Sequence, residues 1–161
     1  MRAVVVESAN AARSHDDLRS APLARTDVGE LRKALRAASL PDDDLDADGV
    51  RLYAFEQSGD VVGYGGLEIG GGHALLRSIV VDPARRRQGV GRRIIELLSA
   101  NAAREGVRRA FLLTTGARAY FEGLGFAAVD RKDAPHAILS TRQAAGLCPA
   151  SAVLMAKAVG A

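Results

Sequence analysis

"VVDPARRRQGVGRRIIELL", residues 80–98, sets five arginines and two glycines between two apolar runs. The run that follows places Ile94, Ile95, Leu98 and Ala102 on one helical face, with Gly106 just past its end. The run that precedes it, "HALLRSIVV" (73–81), reads as a strand. The turn therefore feeds a helix N-terminus, where the first N–H groups lack partners and the helix dipole is positive. Gly89 and Gly91 let an anion reach the backbone, and Arg86, Arg87, Arg92 and Arg93 supply charge-assisted hydrogen bonds. Together these features describe a diphosphate cradle. A Walker loop is excluded because no Gly-Lys-Ser/Thr follows. A dinucleotide fingerprint is excluded because Ile94 stands where a third small residue belongs.

Working outward, "RLYAFE" (51–56) and "VVGYGGLEI" (61–69) precede 73–81, separated by "QSGD" and "GGG". The three runs predict an antiparallel meander. "TDVGELRKALRAASL" (26–40) predicts a helix with Leu31 and Leu35 inward and a capping box of Asp27 and Glu30. Pro41 and the acidic "DDDLDADG" then predict an exposed loop. Beyond the central helix come a strand (108–114), a short helix (117–125), a strand (126–130), a mixed tract and a last strand (151–159). Either 2–7 or 17–23 supplies the first strand, and Pro22 suits an edge or a strand end. The pattern predicts an α+β (mixed α/β) fold, with one mostly antiparallel sheet flanked by helices. At 161 residues it is read as a single domain over 1–161, with 1–15 as a peripheral extension.

Composition narrows the partners. A net charge of +3 with 19 acidic residues favours anionic ligands without demanding nucleic acid. No aromatic residue interleaves with the arginines, so no base-stacking platform is expected. No apolar run approaches the roughly 20 residues that span a bilayer, which predicts a cytoplasmic protein without a membrane partner. The single cysteine and three scattered histidines predict no metal.

The spacing Arg86-x-x-Gly89-x-Gly91 resembles the acetyl-CoA pyrophosphate loop of the GCN5-related N-acetyltransferase superfamily. "AYFEGLGF" (119–126) resembles its second signature, a helix ending in x-Gly-Phe before a strand. "LPDDDL", "ALLRSIVVDP", "FLLTTGARAYFEGLGF" and "LCPASAVLM" further resemble the arsenic-resistance N-acetyltransferase family. The resemblance implies an acyl-CoA N-acyltransferase-like fold and acetyl-CoA as cosubstrate. It also implies acetylation of a small-molecule amine, including an organoarsenical amino acid such as arsinothricin, by direct attack in a ternary complex. Acetylation of a protein or peptide, and an acetyl-CoA-binding sensor with little catalysis, are the alternatives. A homodimer stays open.

The same resemblance implies site residues. The cofactor would lie on the Ile79, Val80 and Val81 backbone, on Arg86, Arg87, Gln88, Gly89, Val90, Gly91 and Arg92, and against Thr114 and Phe121. Glu68 is the candidate general base. Tyr120 is the candidate acid, although the superfamily's tyrosine position holds Phe121 and adjacent helix residues point about 100° apart. Arg77, a charge inside an apolar strand, would pair with an acid such as Glu68 or grip a substrate anion, with Ser78 and Thr115 as further candidates for binding the substrate. Arg131, His136 and Thr141 are expected to line the same cleft, and Cys148 is read as a small buried hydrophobe in preference to a thiol near the substrate.

Overall fold

A computed structural model describes residues 17–160. The elements run β1 (Arg19–Pro22), α1 (Gly29–Ala37), β2 (Val50–Gln57), β3 (Asp60–Gly70), β4 (His73–Val81), α2 (Val90–Arg104), β5 (Arg109–Thr114), α3 (Arg118–Gly123), β6 (Ala127–Ala128), α4 (His136–Leu139) and β7 (Val153–Ala158). One seven-stranded sheet has the order β1-β2-β3-β4-β5-β7-β6. Among the described residues its single parallel pair is β4–β5, joined through α2, and the meander β2-β3-β4 is antiparallel as expected. The second candidate for a first strand forms β1 at the sheet edge, with Pro22 as its last residue. The other candidate, 2–7, lies outside the described residues.

The helix periodicity translates directly into packing. Ile94, Ile95, Leu98 and Ala102 of α2 are buried against Phe55, Val62, Leu67 and Met155. Leu31 and Leu35 of α1 pack on Leu45, Leu52 and Val80. Glycines are unfavourable inside a strand, yet β3 carries three in its interior, Gly63, Gly65 and Gly66. Their reason is close approach. A Cβ on Gly63 would stand 2.7 Å from Ile94 Cδ1 and 2.6 Å from the Val80 carbonyl oxygen; one on Gly65 would stand 2.8 Å from Leu98 Cδ1. Gly63→Ala is therefore expected to destabilise the fold by about 1–3 kcal/mol through overpacking, measurable as a lower midpoint in urea. An unchanged midpoint would mean that both α2 and the β4 backbone give way without cost.

Two expectations need correction. The capping box does not form: α1 starts at Gly29 with Val28 as N-cap and no side-chain cap. Asp27 instead closes a 3₁₀ turn, Arg25–Asp27, through its N–H to the Ala24 carbonyl (2.9 Å), and Glu30 pairs with Lys33 (3.2 Å). The strand expected over 126–130 shrinks to Ala127–Ala128. The Phe126 N–H bonds back to the Phe121 carbonyl (3.0 Å) while its ring packs in the core against Phe121, so pairing starts only at Ala127.

Candidate active site

The sheet opens where β4 leaves β5. Their pairing runs only from His73↔Arg109 to Leu75↔Phe111. Just beyond, Tyr64 and Gly66 of β3 face Val80 and Arg77 of β4, so β4 carries one extra residue there. Ser78 takes a φ of 55° at this bulge, which bends the strand and leaves backbone groups unpaired on the β5 side. A cleft of about 370 Å³ fills the opening. Leu76, Arg77, Ser78 and Ile79 form one wall, and Leu112–Ala117 with Phe121 form the other. Ser39, Leu40 and Pro41 of the α1–β2 loop and Gln143, Cys148, Pro149 and Ala152 of the C-terminal tract complete it. Thr114 and Thr115 both line it, and the Thr114 hydroxyl accepts from the Ala117 N–H (3.1 Å) at the start of α3. Of the strand residues, Ile79 lines the cleft; Val80 faces the α1 core and Val81 packs on the α2 side.

The arginine-glycine turn stands at the N-terminus of α2. Gly89 is the N-cap in the left-handed region (φ 78°), and Arg87 is also left-handed (φ 64°). Successive positive-φ and ordinary residues curl backbone N–H groups toward a common point, a concavity suited to anions. Val90 is buried and anchors the turn, while Arg86, Arg87, Gln88 and Gly89 are exposed. Among the described residues Arg86 and Arg87 have no ion-pair partner, whereas Arg92 and Arg93 both pair with Glu96 (3.4 and 3.2 Å). The free charge therefore belongs to Arg86 and Arg87.

Arg77 is wholly buried, and four of its five N–H donors are taken. Nη1 donates to Asp44 Oδ2 (2.7 Å) and Glu68 Oε1 (2.6 Å), Nη2 donates to Asp44 Oδ1, and Nε donates to Ser78 Oγ (3.2 Å). Burial opposes the guanidinium charge, but the hydrogen bonds to Asp44 and Glu68 outweigh it and raise the pKa above the ordinary arginine value. Of the two roles open to Arg77, the pairing with Glu68 is formed. Glu68 itself does not line the cleft; it stands behind the guanidinium, its side chain 17% exposed. Asp44 was missed, because it sits in an acidic run that reads as a solvated loop.

The adjacent aromatics part company. Phe121 lines the cleft, whereas Tyr120 is 48% exposed and outside the lining. A Cβ on Gly91 would stand 3.2 Å from the Tyr120 hydroxyl, so that hydroxyl lies against the first turn of α2. Partial burial pushes the Tyr120 pKa up, with Arg92 opposing. Cys148, expected in the core, lines the cleft half-buried, its thiol 3.8 Å from Gln143 Oε1. Burial pushes that thiol up despite Arg77 and Arg131. Since the thiolate is the nucleophile, iodoacetamide should alkylate Cys148 several-fold more slowly than free cysteine at pH 8. The rate should still be climbing at pH 9; a rate equal to free cysteine would contradict the burial.

Arg131 and Thr141 do not line the cleft. Arg131 donates to the Ala144 and Ala152 carbonyls (3.0 and 3.2 Å), and the Thr141 hydroxyl donates to Ile138 O (2.7 Å) and accepts from the Ala144 N–H (3.3 Å). These bonds shape the tract that presents Gln143 and Cys148. His136 is exposed at the start of α4, away from the lining. Among the described residues no cluster of His, Cys, Asp and Glu is placed to hold a metal, and no helix is long and apolar enough to cross a membrane.

A splayed β4–β5 pair beside a glycine-rich helix N-terminus defines the acyl-CoA N-acyltransferase class. Residues 16–126 match the Acetyltransferase (GNAT) family. The chain belongs to that family, and it is an acetyl-CoA-dependent N-acetyltransferase. A GNAT-family acetyltransferase from Staphylococcus aureus Mu50 superposes with a TM-score of 0.69 at 15% identity, covering 88% of this chain and 98% of that one. The ribosomal-protein-S18-alanine N-acetyltransferase from Escherichia coli superposes at 0.66 with 20% identity, covering 89% and 95%. An aminoglycoside 6'-N-acetyltransferase complexed with coenzyme A gives 0.63 at 17% identity, covering 87% and 96%. Among curated proteins none matches this chain in sequence.

Proposed function

We propose that the protein transfers the acetyl group of acetyl-CoA to the primary amine of a small molecule, with an organoarsenical amino acid such as arsinothricin as the acceptor suggested by the sequence resemblance. The observation that carries this reading is the cleft: about 370 Å³, largely apolar, and flanked by Leu40 and Pro41 of one loop and Cys148 and Pro149 of another. A narrow, loop-flanked cleft of this size suits a compact acceptor better than a folded protein surface. Acetyl-CoA would lay its diphosphate on Arg86–Gly91 and its pantetheine arm along the unpaired edge of β4 near Ile79.

The amine nitrogen then attacks the thioester carbonyl; the C–N bond forms and the C–S bond breaks. The amine proton leaves through water to Glu68, whose second carboxylate oxygen makes no hydrogen bond among the described residues. Because four of the five Arg77 donors are occupied, the acid groups of an amino-acid acceptor would meet mainly Ser78, Thr114, Thr115 and Gln143. The departing thiolate is protonated by Tyr120 or by water. Tyr120→Phe lowering kcat about tenfold, with acetyl-CoA affinity unchanged, assigns that proton to Tyr120; an unchanged kcat assigns it to water.

The test is thiol release from acetyl-CoA across a panel of arsinothricin, phosphinothricin, free amino acids, an aminoglycoside and an N-terminal alanine peptide. Turnover of a small amine is expected, arsinothricin foremost. Turnover of the peptide alone would move the reading to protein acetylation, and binding of acetyl-CoA without any turnover would make the chain a sensor.

A further inference from the structure

The acidic run 42–48 holds five carboxylates, and Asp44 alone among them is buried, 2% exposed. Both its oxygens face Arg77, and Arg77 reaches Glu68 through the same Nη1 that donates to Asp44. The cluster thus holds two carboxylates to one guanidinium. Asp44 takes Arg77 bidentately and cancels its charge. Glu68 meets an already neutralised pair through one oxygen, and its other oxygen is left to accept a proton.

We propose that Asp44 is a positioning residue for acetyl transfer: it holds Arg77 away from a two-pronged grip on Glu68 and so keeps Glu68 able to act as a base. The proposal rests on Glu68 being that base. It explains why an acid from a loop 33 residues earlier is buried beside a strand arginine that Glu68 could have paired alone. The bond also fastens the α1–β2 loop, whose Leu40 and Pro41 wall the cleft.

The charged groups facing Glu68 are Arg77 from β4 and Asp44 from the loop. Its β2 partner, Val50, brings no charge, and Cys148 and Arg131 from the C-terminal tract stand near enough to interact electrostatically with one another, and Cys148 with Arg77 and Asp44. With Asp44 neutral, Arg77 would present its full charge to Glu68, and an opposite charge at hydrogen-bond distance favours the ionised form of a carboxylate.

The experiment follows kcat/KM against pH with acetyl-CoA and the fastest amine of the panel, arsinothricin in the first instance. In Asp44→Asn the acid limb should move down by about one pH unit or more, with kcat about tenfold lower and the acetyl-CoA Kd within twofold of wild type. Asp44→Glu, which restores the charge, should return the limb to its wild-type position. Glu68→Gln separates the two ideas. A limb that persists in Glu68→Gln overturns Glu68 as base. A limb that vanishes in Glu68→Gln yet stands still in Asp44→Asn overturns the role of Asp44 alone. Should Asp44→Asn not fold, Asp44→Ser, which makes room for a water at the guanidinium, is read by the same limb.

Discussion

Arg77→Met is expected to cost the fold about 3–5 kcal/mol, the range for removing one partner of a buried ion pair. The reason is what stays behind. Asp44 is 2% exposed and would lose both acceptor contacts with the guanidinium, while Glu68 would lose its single one. Two like charges would then share one pocket with no cation between them. For a chain of this length the loss corresponds to a drop in Tm of roughly 6–20 °C, read by thermal unfolding. The deficit should shrink on acidification, since protonating either carboxylate removes the unpaired charge. The double variant Asp44→Asn/Arg77→Met should recover a large part of the loss at neutral pH, because only the partly exposed Glu68 remains charged. A single variant as stable as wild type would show that water enters the site and that the cluster is not sealed.

That cluster also shows where sequence reading stops. Arg77 announces itself as a charge in an apolar strand, and Glu68 is reachable because a meander places the two on neighbouring strands. Asp44 is not legible, since which of five acids turns inward depends on how the loop docks across the sheet. The same limit separates α2 from the start of α1. Ile94, Ile95, Leu98 and Ala102 write their helix in their own spacing, whereas the Asp27–Glu30 capping box lost to a 3₁₀ turn with the same local signals. The bulge at Ser78, which bends β4 at the mouth of the cleft, has no signature in "LLRSIVV". In the C-terminal tract, Gln143 and Cys148 reach the cleft because Arg131 and Thr141 tie the backbone into place, and tertiary hydrogen bonds of that kind leave no periodicity to read.

The turn at 86–91 was legible because both of its ingredients, positive-φ glycine and unpaired charge, are local. It supports the second large prediction: Gly89→Glu should weaken acetyl-CoA binding by a factor of 100 or more, about 2.8 kcal/mol, while the protein still folds. The fold bears only the cost of a left-handed φ, about 1–2 kcal/mol, because a Cβ built on Gly89 meets nothing within 4 Å and a carboxylate at a helix N-terminus is electrostatically favoured. Binding is lost for the same reason, since the new carboxylate occupies the position meant for a phosphate oxygen and neutralises the pull of Arg86 and Arg87. Backbone strain alone cannot account for such a loss. Gly89→Ala carries the same penalty at φ 78° without the charge, and should change the Kd only a few-fold. Calorimetric titration of all three proteins with acetyl-CoA, alongside their unfolding midpoints, decides the matter. Equal losses in the Ala and Glu variants would trace the effect to backbone geometry and remove the charge argument. An unchanged Kd in Gly89→Glu would place the diphosphate elsewhere on the surface.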